Sequence, residues 1–277
     1  MSEYRLLKKT AWAGLGENFS GRAADGGPRF LKRLLAVPEE SAQRLSSSGR
    51  FVEVSWESDG HALWLVTSGL EGESLRWVLA SLARADGGLK PQEGLAVIAR
   101  AAEALAALHA TGAAHGDLCA SSIFVVARGA VMLLDVGVGA ARGSGFVGGF
   151  GPARAEPGVL SPESLSAPPT PASDVFQLGL VLYELAMGRP LFAGAPTQAC
   201  AEVAAWSGLR RETVKHVPEP WQSLLLTMLE PEPGKRPPAN RVALQLADAM
   251  RLSGWGADAG ALAQLFSRAA QGRGTAF

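Results

Sequence analysis

The spacing of apolar positions changes character once along this chain. Up to about residue 74 it suits short strands: 52–56 and 62–67 are β-rich runs joined by Ser58-Asp59-Gly60, whose Asp-Gly tip signals a hairpin. A third run, 29–35, is entered through Asp25-Gly26-Gly27-Pro28. One short helix is predicted in this region, over 38–45, with Pro38 at its start and Glu39 and Glu40 where the helix dipole favours acids. Beyond residue 74 the period becomes helical. Leu95, Ile98, Ala102, Leu105 and Leu108 fall on one face, and Gly112 stands where a C-cap would end the run. The runs 123–126 and 131–134, flanking Arg128-Gly129, predict a small buried hairpin. Helical spacing returns over 174–187, 197–206, 221–229, 239–251 and 258–269. Between 137 and 171 the chain is rich in Gly, Pro and Ala without a period, too long for a simple connection and typical of a functional loop. The expected fold is α+β, a small β-rich lobe followed by a larger helical one.

Composition narrows the picture. The 277 residues carry 26 Lys+Arg against 26 Asp+Glu, so no charge excess favours nucleic acid or an anionic membrane. Cys119 and Cys200 stand far apart without metal-ligand spacing, which argues against a disulfide framework or structural zinc and for a reducing cytoplasm. The N-terminus lacks an apolar leader-like core, and apolar stretches are interrupted before about 18 residues, so neither secretion nor a membrane span is expected.

Residues 115–124 read His-Gly-Asp-Leu-Cys-Ala-Ser-Ser-Ile-Phe, and Asp135-Val136-Gly137 follows the predicted hairpin. Further on come Ser161-Pro162-Glu163, Asp174-Val175-Phe176-Gln177-Leu178-Gly179 and Lys235-Arg236-Pro237-Pro238; upstream lie Phe30-Leu31-Lys32 and Leu70-Glu71-Gly72-Glu73-Ser74-Leu75. In this order and spacing they resemble the catalytic loop, DFG, APE, DVWxLG, RP, AxK and hinge segments of the bacterial serine/threonine protein kinases. The resemblance implies one two-lobed protein-kinase-like domain, with an N-lobe to about 68, a hinge at about 68–74, a C-lobe at about 75–252 and a C-terminal extension at about 253–277.

Phosphoryl transfer needs positioned phosphates, a metal to neutralise developing charge and a carboxylate to take the substrate's proton. By resemblance, Lys32 would hold the phosphates with Glu39, or Glu40, as its partner; Asp117 would be the catalytic base; Asp135 and Ser122 occupy the metal positions. Gly16, Asn18, Gly21, Phe30, Thr67, Gly69 and Phe124 would surround the nucleotide. Glu163 and Arg236 are expected to form a buried ion pair, and Asp174 to cap its own helix or hold the backbone around His115 and Gly116.

The chain departs from the family pattern around the phosphates. Gly16-Glu17-Asn18-Phe19-Ser20-Gly21 reads as a glycine loop with Asn18 at its centre, hindering close backbone approach. Ser122 replaces a metal-binding Asn, and Cys119, read as a small buried residue rather than a reactive thiol, replaces a Lys. Glu156 stands where a Thr is usual. Gly116 replaces the Arg that pairs with a phosphorylated loop, and 143–151 offers only Ser144 as an acceptor, so switching by loop phosphorylation is not expected. Phe30 stands where the family places a small Ala against adenine; strand alternation directs it with Lys32 into the cleft, towards Phe124.

Two functions are therefore expected to compete: a pseudokinase acting by binding another protein, and an active kinase using ATP and Mg²⁺. The first needs no cofactor. Small-molecule phosphotransferases of the aminoglycoside type share His-Gly-Asp, but Ser161-Pro162-Glu163, Asp174 and Arg236 argue against them.

Overall fold

In the computed structural model, the described residues are 4–13, 16–34, 54–58, 63–68, 71–85, 87–136, 159–255 and 259–271. Strands β1 (Tyr4–Ala13), β2 (Gly16–Ala23), β3 (Pro28–Leu34), β4 (Val54–Ser58) and β5 (Leu63–Ser68) form an antiparallel sheet in the order β1-β2-β3-β5-β4. Leu31, Trp64 and Val66 make its small core, against which Tyr4 and Phe19 pack. The two runs expected to pair across 58–60 are β4 and β5, which pair antiparallel, while 59–62 lie outside the described residues. The helix expected over 38–45 and residues 137–158 of the loop expected over 137–171 lie outside the described residues, as do Glu39, Glu40, Gly69, Ser144 and Glu156.

The second lobe is mostly helical: α1 (Leu75–Arg84), α2 (Pro91–His109), α3 (Pro171–Met187), α4 (Pro196–Ala204), α5 (Trp221–Met228), α6 (Ala239–Leu252) and α7 (Ala259–Gln271). Strands β6 (Gly72–Ser74), β7 (Ile123–Val126) and β8 (Val131–Leu133) add a small sheet in that order. One continuous core joins these helices, from Leu75 to Ala269. Burying it drives the lobe together, because helices of these lengths are marginal alone.

Two local readings change. The helix ending near residue 109 has Ala110 as its C-cap, and Gly112, at φ 81°, closes the turn that follows. The segment read as a glycine loop is paired strand instead: Ala13 opposes Gly16, leaving only residues 14–15 between strands, and Asn18 sits mid-strand opposite Ala11 and Lys32. The hairpin register, invisible in the glycine spacing, decides this. Asn18 is therefore not at a loop tip, and a side chain at Gly21 would run into Leu31.

Candidate functional site

A buried network of hydrogen bonds forms where the loop before β7 meets the start of α3. Helix α3 begins cleanly: Thr170 caps it, Pro171 occupies the first turn, and Gly188, in the left-handed conformation, ends it. This places Asp174, fully buried, in the first turn. Its Oδ2 accepts the backbone N–H of His115 at 2.7 Å and lies 2.8 Å from His109 Nε2; its Oδ1 accepts the N–H of Gly116 at 2.7 Å. Of the two roles expected for Asp174, the strap on the loop is present, while helix capping falls to Thr170. One turn on, Gln177 adds a second strap, accepting the N–H of Leu118 at 3.0 Å and donating to the carbonyl of Gly116 at 3.3 Å.

The strapped loop has an unusual backbone that the sequence accommodates. Gly116 adopts φ 77°, which an L-residue reaches only with strain, so the glycine has a conformational reason besides the loss of a charge. His115, buried, ties the two acidic positions together. Its Nδ1 accepts the N–H of Asp117 at 3.3 Å, which leaves Nε2 to donate to the carbonyl of Leu134 at 2.8 Å, one residue before Asp135. Asp135 is the one described non-glycine residue with positive φ, at 64°. Asp tolerates that region better than most residues, and at least about 1 kcal/mol of local strain is absorbed there.

The hydroxyl of Ser122 is turned into this loop. It accepts the N–H of Cys119 at 2.9 Å and faces the carbonyls of Cys119 and Asp117 at 3.1 and 3.3 Å. The short side chain thus spends its hydrogen-bonding capacity on the turn rather than presenting an oxygen outward. Cys119 is buried. No group of three or more His, Cys, Asp or Glu among the described residues is arranged to hold a metal ion.

Between the lobes, Phe30 of β3 meets Phe124 of β7, with ring centroids 5.2 Å apart and planes at 66°, an edge-to-face pair. Leu31 fills the small core, so Phe30 faces out of it towards the second lobe. Thr67 opposes Phe30 in the β3–β5 register, and Lys32 opposes Leu65. The Phe124 ring has room because Gly72 lies beneath it; a Cβ there would stand 2.6 Å from Cε1 of Phe124 and 2.5 Å from the carbonyl of Val125.

Away from the cleft, Glu163 and Arg236 form the expected ion pair, Nη1–Oε1 2.6 Å and Nη2–Oε2 2.9 Å. Burial alone would raise the Glu163 carboxyl, but hydrogen bonds from Arg236, its own backbone and Ser173 outweigh it and hold the group below its ordinary range. Arg236 also donates to the carbonyls of Ala172, Pro231 and Glu230, and its guanidinium lies over Phe176.

Sequence reasoning missed His109, Gln177 and Gly72. Gln177 had a signal, since it lies one helical turn from Asp174 and shares its face. His109 had a weaker one, an imidazole ending an apolar helix six residues before His115.

No helix among the described residues is long and apolar enough to cross a membrane. Residues 49–245 match the protein kinase domain family. The chain is 32% identical over 196 residues to the serine/threonine-protein kinase PkaA of Streptomyces coelicolor, covering 67% of this chain and 34% of that protein. It is 27% identical over 237 residues to PknA of Mycobacterium tuberculosis, 78% of this chain and 51% of that one. PknA of Corynebacterium glutamicum is 28% identical over 242 residues, 80% of this chain and 50% of its own length. The chain thus spans about a third to a half of these curated relatives. With its matched span, its two-lobed α+β fold and the strapped loop that carries Asp117, this chain belongs to the protein kinase domain family, among relatives that are bacterial serine/threonine kinases.

Proposed function

We propose that this domain is a pseudokinase, a kinase-shaped module that works by binding another protein. The observation that carries the reading is the Phe30–Phe124 contact. A purine sandwiched between two side chains needs about 3.5 Å on each face, or about 7 Å between them. Two rings with centroids 5.2 Å apart in edge contact leave no such gap. Nucleotide entry would first have to break that contact.

The donor set fits Mg²⁺ and ATP poorly. With Ser122 committed to its own turn, Asp135 is left to hold a cation that ordinarily takes several oxygens. Cys119 stands where the resemblance expects a Lys beside the transferred phosphate. Lys32 and Asp117 remain, and their retention supports a second reading, an active serine/threonine kinase. His115 links the N–H of Asp117 to the carbonyl of Leu134, next to Asp135, a frame that suits transfer.

A thermal-shift titration with ATP, alone and with Mg²⁺ or Mn²⁺, separates the two. Binding to the folded state alone raises stability by mass action, about 2.7 kcal/mol at a hundredfold excess over Kd. The pseudokinase reading expects no shift at millimolar ATP; a metal-dependent rise in Tm favours the active kinase.

A further inference from the structure

Helix α7 lies beyond the span that matches the family, which ends at residue 245. Its apolar positions Leu262, Leu265 and Ala269 share one face, are fully buried and belong to the main core. That face packs chiefly on α1, then on α2 and β7. We infer that α7 is a brace that fixes α1 and the turn leading into α2, so that the working unit of the domain extends to the end of α7.

Helix α1 has only ten residues, so its position is set by what it packs against. On one side it meets β6 and β7, and α7 is the element it touches most. A polar lock adds direction to this packing. Arg268 of α7 pairs with Glu93 in the first turn of α2, and its Nη2 donates to the carbonyls of Gly87 and Gly88, each at 2.9 Å. Glu93 is itself buried and accepts the N–H of Lys90 at 2.9 Å with its other oxygen. One planar guanidinium thus joins α7 to both the α1–α2 turn and the capped start of α2, a geometry an ammonium cannot reproduce.

The brace reaches the cleft through a short path. Ser74 ends β6, caps α1 through the N–H of Trp77 at 3.2 Å and stands opposite Phe124 in the β6–β7 register. Holding α1 therefore also holds the strand against which the Phe124 ring rests.

Hydrogen exchange on the full chain without nucleotide tests this, comparing wild type with Arg268→Ala, Arg268→Lys and Leu265→Ala. The expected result is at least a tenfold loss of protection at 75–90 in all three, with a smaller loss at 72–74, while 175–183 in α3 and 222–228 in α5 keep theirs. A loss confined to α7, or one spread evenly over α3 and α5, would overturn the brace. If Leu265→Ala does not fold, the two Arg268 variants carry the comparison, since Arg268 is partly exposed. Because no nucleotide is present, the outcome is independent of whether the cleft binds ATP.

Discussion

Replacing Arg236 by Ala puts a fully partnered polar assembly of the C-lobe under test. The Arg236 side chain is fully buried, and its five N–H groups have five acceptors: both oxygens of Glu163 and the carbonyls of Ala172, Glu230 and Pro231. Truncation strands the Glu163 carboxylate in a half-buried site and leaves three carbonyls without this partner, so the cost is that of breaking a buried pair, about 3–5 kcal/mol. In a domain of this size each kcal/mol moves Tm by about 2–4 °C, which gives a fall of roughly 6–20 °C. Arg236→Lys should recover only a small part, because one ammonium cannot serve two carboxylate oxygens and three carbonyls together. Calorimetry of the three proteins under one condition reads this directly. A Tm for Arg236→Ala within about 2 °C of wild type would show that the pair contributes nothing net, and the reasoning would fail.

The same site predicts a pH dependence. The Glu163 carboxyl is held low in the folded protein, so its stabilisation is fully present above the ordinary value of about 4.3 and is lost as pH falls through the lower folded value. The urea midpoint of wild type minus that of Glu163→Gln should accordingly be constant at neutral pH and shrink below about pH 4.3; a difference that grows on acidification contradicts the sign. Asp174→Asn turns an amide N–H towards donors it should accept from, costing about 2–4 kcal/mol and raising hydrogen exchange at His115 and Gly116. Unchanged exchange at those two amides would remove the strap from the account.

Much of this architecture was legible because it rests on local patterns. Alternation in 29–35 predicts that Phe30 points with Lys32 into the cleft towards Phe124; the structure contains that Phe30–Phe124 contact, and it adds that Leu31 fills the small core. Helical spacing places α2 and α3 within a few residues. What escaped depends on distant partners. Residues 16–21 read as a loop because glycine spacing carries no register, and only pairing with β1 and β3 shows a strand. Strand β6 is three residues long, too short for alternation, and forms because β7 lies beside it. His109 and Gln177 act on a loop whose approach no local pattern encodes. The inward turn of Ser122 likewise follows from the fold of 117–123 rather than from residue type.

The central claim, that the chain fills its own nucleotide cleft, is tested most directly by isothermal titration of MgATP into wild type and Phe30→Ala. The half-buried ring contributes about 1–2 kcal/mol through burial and about 0.5–1.5 kcal/mol through its edge contact with Phe124, which a nucleotide must overcome. The account predicts no measurable binding by wild type at millimolar ATP, and binding by Phe30→Ala together with a lower Tm. Tight MgATP binding by wild type, with Phe30→Ala changing only the Tm, would contradict it and favour the active kinase.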